Sequence, residues 1–270
     1  MRNTWNPNFL CTSQHFETVS SLEVDFTSFK KWPSLDDYNQ LLAKFAVKNI
    51  HDKSLSCIPA SPRPRRRRGQ IKNKKYPPPP MGSRDWGDHN SAGISMSPES
   101  HLGVIPVPQI ELPYEMQILH HGVIPTRLEN WHDFCNMLTW CRFPRTKAVL
   151  NGLQARPHGV PRNRYQELLT LFDEGGVIRI FASKEKIGIS SYPRTPAQKN
   201  LSFGHALLEA DLCGFKNSDG FTIPIYLEPD VLQKHLIHGT LYQWVDDFIA
   251  LHIANGYLTK LSKENPPAPI

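Results

Sequence analysis

The sequence points to an α+β fold, namely a mostly helical single domain with a small antiparallel sheet and one long disordered basic, Pro-rich loop. Apolar residues recur at helical spacing in several segments, and the runs VIRIFA and FTIPIYL are β-branched and apolar as strands are. Between residues 52 and 112 periodicity gives way to Pro, Gly, Ser and charge. With 270 residues the chain can bury a sizeable core.

Residues 17–50 alternate apolar and polar groups before a helix from about Ser34 to Val47. Ser34 is its cap, Asp36 and Asp37 suit the first turn, and Leu35, Tyr38, Leu41, Leu42 and Phe45 keep helical spacing. Order resumes with a short helix at Tyr114–His120, then the Gly122 and Pro125 turn. A longer helix begins at Asn130, where Asn130 caps and Asp133 completes an arrangement like a capping box. Pro144 ends that helix and opens the next, to about Leu153. Residues 167–182 read as a β-hairpin: ELLTLF, a turn at Asp173–Gly176, then VIRIFA. A helix around Phe203–Cys213, the strand FTIPIYL and a helical stretch from about Pro229 to Tyr257, broken near Gly239, complete the core. The expected organisation is an N-terminal segment at 1–51 packing on the core, a linker at 52–112, a core domain at 113–258 and a flexible tail at 259–270.

The formal charge of +6 is local: residues 63–75 hold eight cations and no acid, which leaves −2 for the rest of the chain. Within that tract Arg65, Arg66, Arg67 and Arg68 suit salt-dependent gripping of phosphates, and a solvated loop explains them equally well. The five cysteines include no C-x-x-C, so buried reduced thiols are expected. The start MRNTWNPNFLCTSQHFE lacks a continuous apolar stretch, and no run approaches the ~18 apolar residues of a membrane span. A soluble cytoplasmic protein with no membrane partner is the expectation. Walker A, G-x-G-x-x-G, G-x-S-x-G, H-E-x-x-H, EF-hand and zinc-finger patterns do not occur.

Four groups of residues are candidates to carry chemistry. His132, Asn136 and Thr139 form a polar stripe on an otherwise apolar helix, with Asp133 beside it. Such a stripe either satisfies buried backbone groups or presents a site. Lys147 and Asn151 stand four apart on the next helix, with Arg145 near its start. A desolvated lysine there would bind an anion or donate a proton, although a solvated surface lysine is the simpler reading. His205 and Glu209, also four apart, can reach one ion or form an ordinary surface pair. Asp173–Glu174 favours a turn for backbone reasons, yet it places a carboxylate at a strand end, where metal enzymes often hold one.

The pattern G-x-I-P-T-R-x-x-N-W-H-D-F-x-N-x-L-x-W-x-x-F-P-R-T-K-x-x-L-N runs from Gly122 to Asn151, followed by LLTLFDEGGV at 168–177 and FGHALLE at 203–209. In order and spacing these blocks resemble an uncharacterised bacterial family, the domain of unknown function 3025, over roughly residues 110–215. The resemblance implies weight for Trp131, His132, Asp133, Asn136, Lys147, Asn151, Asp173, Glu174, His205 and Glu209, and it implies no reaction. Cys135 stands where members carry an aromatic, and Tyr165-Gln166-Glu167 replaces an Arg-Arg-Asp run.

Two functions stay open. In the first, His132, Asp133, Asn136, Lys147 and Asn151 form a catalytic set, while Asp173, His205 and Glu209 hold a divalent metal ion. Lys147, with Arg127 or Arg145, would neutralise an anionic, phosphate-containing substrate in a metal-assisted hydrolysis. In the second, the chain is a nucleic-acid- or protein-binding module that uses the Arg-rich loop, and the His/Asp/Asn set is a buried structural network.

Overall fold

The computed structural model describes residues 4–60, 112–157, 159–183, 199–214 and 221–258. The Arg-rich tract with Arg65, Arg66, Arg67 and Arg68, most of the expected linker and the expected tail lie outside the described residues.

The described part is α+β and mostly helical. Short 3₁₀ turns at Phe9–Cys11, Gln14–Phe16 and Phe26–Ser28 and a single-turn helix α1 (Glu17–Ser20) form the N-terminal segment. Their rings Phe9, Phe16 and Phe26 pack with Trp131 and Phe134 in one apolar cluster. Helix α2 (Leu35–Lys44) begins with a capping box, in which Ser34 accepts from the Asp37 amide and Asp37 returns a bond to the Ser34 amide. It ends before the expected Val47, where Ala46 takes a φ of 48°.

Strand β1 (Ser56–Pro59) pairs in parallel with β2 (Val123–Thr126), which follows α3 (Tyr114–His121). Regular structure therefore reaches into the first residues of the tract read as a linker. Gly122 turns the chain between α3 and β2 at φ 68°, and a Cβ there would stand 2.8 Å from the Ser54 carbonyl oxygen.

Helix α4 (Trp131–Arg142) starts at Asn130, whose Oδ1 accepts from the Asp133 amide at 3.1 Å. The return arm expected of Asp133 is spent elsewhere, because its carboxylate accepts from the Arg127 amide and guanidinium at 2.7–2.9 Å. Helix α5 (Pro144–Gln154) has proline in its first turn and no cap from Phe143. Its free amides at Arg145 and Thr146 instead donate to Asp246 of α9 (Leu241–Ala254), at 3.0 and 2.8 Å.

The hairpin reading is corrected at its first arm. Residues Arg164–Gly175 form helix α6, opened by a capping box between Asn163 and Gln166. ELLTLF is too short to separate strand from helix by periodicity, and Leu168, Leu169 and Phe172 bury one helical face. Only the second arm is a strand, β3 (Gly176–Ala182). It lies between β4 (Lys199–Ser202), antiparallel, and β5 (Phe221–Leu227), parallel. The sheet is thus mixed rather than antiparallel: β4 reverses against β3, and after the helix α7 (His205–Leu212) the chain reverses again, so that β5 runs with β3 on its other edge. A second cluster covers this sheet, joining Phe172, Ile178, Ile180, Phe203, Ile223 and Ile225 to Val245 and Ile249 of α9. Helix α8 (Pro229–Ile237) and α9 are separated at Gly239, as expected. Among the described residues no helix is long and apolar enough to cross a membrane.

Candidate metal centre

Helices α4, α6 and α7 meet beside the two apolar clusters, and the meeting depends on glycine. A Cβ on Gly204 would lie 2.4 Å from the Glu174 carbonyl oxygen and 2.5 Å from Gly175 Cα. Without one, the first turn of α7 approaches the end of α6 closely enough for the Gly204 amide to donate to the Gly176 carbonyl at 2.9 Å. His205, the next residue, is carried against Asp173 and Glu174.

His205 is buried, and its Nδ1–H donates to the Asp173 carbonyl oxygen at 2.8 Å. A carbonyl can only accept, so this bond leaves the lone pair on Nε2. That Nε2 lies 3.2 Å from Nε2 of His132 and 3.5 Å from Oε2 of Glu174. On the other side, His132 Nδ1 is 2.9 Å from Oε2 of Glu209. The ligand atoms of His132, Glu174 and His205 all lie within 4.8 Å of one another. Two imidazole nitrogens bound at ~2.0–2.1 Å to one tetrahedral ion stand about 3.4 Å apart, close to the separation found here. Each Nδ1 is turned to an oxygen acceptor, the outer arrangement that orients metal-binding histidines.

Burial pushes the His205 imidazole down to about 3, against the pull of Asp173, so it is neutral and ready to ligate. Burial raises the Glu174 carboxyl, and the nearby His132 and Lys147 oppose that rise. Burial would also raise Asp173, but the Lys147 ammonium together with the His205 and His132 imidazoles outweighs it and holds this carboxyl below the usual range.

The remaining polar residues form a second group centred on Lys147. The surface lysine of the simpler reading is buried, 4 % exposed, with Nζ donating to Asp173 Oδ1 at 2.5 Å and to Asn136 Oδ1 at 2.8 Å. Asn136 Nδ2 donates to the Tyr114 hydroxyl at 2.8 Å, and Asn151 Nδ2 to the Glu115 carbonyl at 3.0 Å. Asn151 Oδ1 is buried without a hydrogen-bond partner, and Asn151 lines a cavity of about 30 Å³ with Tyr114, Trp140, Lys147 and Asp173.

Residues 105–191 match the family described as protein of unknown function (DUF3025). This is the family that the three sequence blocks resemble. The DUF3025 match contains His132, Asp133, Asn136, Lys147, Asn151, Asp173 and Glu174, while His205 and Glu209 lie beyond its end. No curated protein and no solved structure matches the chain.

The structure therefore divides the residues singled out in the sequence. His132, His205 and Glu209 come together. Asn136, Lys147 and the Asp173 carboxylate make the separate lysine network. Asp133 is held by Arg127, and the guanidinium of Arg145 by Asp247 at 2.6 Å. Glu174 takes the position by the imidazoles for which Asp173 was expected, and Tyr114 was not anticipated. The capping box at Asn163 and Gln166 is the signal that could have separated Asp173 from Glu174, since neighbours on a helix diverge by about 100°.

Proposed function

We propose that this chain is a metal-assisted hydrolase whose divalent ion is held by His132, His205 and Glu174. The observation that carries the reading is the pair of Nε2 atoms 3.2 Å apart, on imidazoles whose Nδ1 atoms face Glu209 and the Asp173 carbonyl. Three protein ligands with a free position are the pattern of catalytic rather than structural zinc sites. Access fits that pattern, because His205 is sealed while the side chains of His132 and Glu174 are 29 % and 45 % exposed. An ion there would supply Lewis acidity and lower the pKa of water.

The chain's own groups prepare the site. Glu209 holds the His132 ring, and the Asp173 carbonyl fixes the tautomer of His205. Arg127, Arg145 and Lys147, expected to neutralise the substrate, are engaged by Asp133, Asp247 and Asp173. Recognition of an anionic, phosphate-containing substrate would then rest on the ion itself.

Metal content of the untagged full-length protein by inductively coupled plasma mass spectrometry tests the reading, followed by hydrolysis assays on phosphate mono- and diesters. Near-stoichiometric metal that His205→Ala removes is the expected result. Protein that stays metal-free after dialysis against zinc, manganese and magnesium sinks it.

A further inference from the structure

Asp173 has two functional ends. Its carboxylate receives Lys147 Nζ at 2.5 Å, and its backbone carbonyl receives His205 Nδ1–H at 2.8 Å. Lys147 reaches it from within α5, and the same ammonium is tied through Asn136 to Tyr114 on α3. A buried ammonium or carboxylate is strongly disfavoured unless paired, so each of these two holds the other in place. Glu174, the next residue on α6, stands by the imidazoles instead.

We propose that Lys147 is a positioning residue that sets the ligands of the metal centre. By occupying the Asp173 carboxylate it keeps this acid away from the ion and presents the Asp173 carbonyl to His205. This rests on the reading of His132, Glu174 and His205 as a metal site. Two consequences distinguish it from a purely structural ion pair. Removing the lysine alone frees a carboxylate that interacts electrostatically with both imidazoles and can turn toward the ion, which changes the coordination. Removing the carboxylate alone leaves an unpaired cation that opposes the ion, which weakens binding.

The test uses the full-length protein with cobalt(II) as probe, in the wild type, Lys147→Met, Asp173→Asn and the double variant that carries both. Asp173→Asn is expected to weaken cobalt binding by about 10–100-fold, the usual effect of losing an outer partner. Lys147→Met is expected to give weaker, shifted visible absorption bands as an added oxygen ligand raises the coordination number. The double variant, neutral at both positions, should recover the wild-type spectrum and most of the affinity. A double variant as impaired as Asp173→Asn, or a wild-type spectrum in Lys147→Met, overturns the proposal. If an unpaired charge unfolds either single variant, the double variant still decides through its spectrum and affinity. If the wild type gives no cobalt spectrum, the metal reading itself fails. The positioning role is then read from ¹⁵N shifts of His205 in the metal-free protein. Protonated Nδ1 in the wild type and double variant, lost in the single variants, supports it, and shifts identical in all four proteins overturn it.

Discussion

His132 and His205, 73 residues apart in sequence, face each other through their Nε2 atoms at 3.2 Å, with ring planes at 72°. Only one proton fits between two such nitrogens. The Asp173 carbonyl fixes the proton of His205 on Nδ1, so a proton shared between the two Nε2 atoms is donated by His132. An ion that takes both lone pairs must expel it. Zinc binding is expected to remove the proton from His132 Nε2 and to leave both Nδ1 atoms protonated, seen in the ¹⁵N shifts of the two imidazoles. A His132 Nε2 shift that zinc leaves unchanged would refute this arrangement.

Glu209→Gln removes the carboxylate that orients His132 without removing a ligand. Zinc affinity is expected to fall by about 10–100-fold, with the fold intact. Competition with a chromogenic chelator measures it, and an unchanged dissociation constant would show that Glu209 does not orient His132.

Gly204→Ala places a methyl group 2.4 Å from the Glu174 carbonyl oxygen, a backbone atom that cannot swing aside. A loss of about 1–3 kcal/mol of stability is expected in urea unfolding, together with weaker zinc binding as His205 is pushed from Asp173. A fully stable variant with wild-type affinity would show that the helix ends separate at little cost.

Asp246 caps α5 from another helix, through the amides of Arg145 and Thr146. Asp246→Ala is expected to cost about 1–2 kcal/mol, in the upper range of cap removal, because the freed amides are partly buried. Burial raises the carboxyl of Asp246 in the fold, against the opposing hydrogen bonds. A raised folded pKa means that the folded state holds its proton more tightly than the unfolded state. The stabilisation is therefore complete below the unfolded pKa and is lost as pH rises through the higher folded value. Urea midpoints of wild type and Asp246→Asn should converge, or cross in favour of Asn, as pH rises from about 3 to 7. A gap that widens in favour of the wild type would reverse the assigned direction.

The local signals of this sequence act over a few residues, and several of them are realised in the fold. Asn130 caps α4, Pro144 opens α5, Ser34 and Asp37 cap α2, and Gly239 parts the last two helices. The family blocks also pointed to the residues that meet at the site. Local spacing could not choose between helix and strand for ELLTLF, and with that choice went the directions of Asp173 and Glu174. It could not show that Lys147 is buried, because that follows from α5 packing against α3 and α6 rather than from the composition of α5. The bonds that define the site span 77 residues from His132 to Glu209, 32 from Asp173 to His205 and 26 from Lys147 to Asp173. Helical periodicity relates side chains only three or four positions apart. Which carboxylate faces the histidines and which faces the lysine was decided by the packing of α4, α5, α6 and α7, where burial penalises every charge left without a partner.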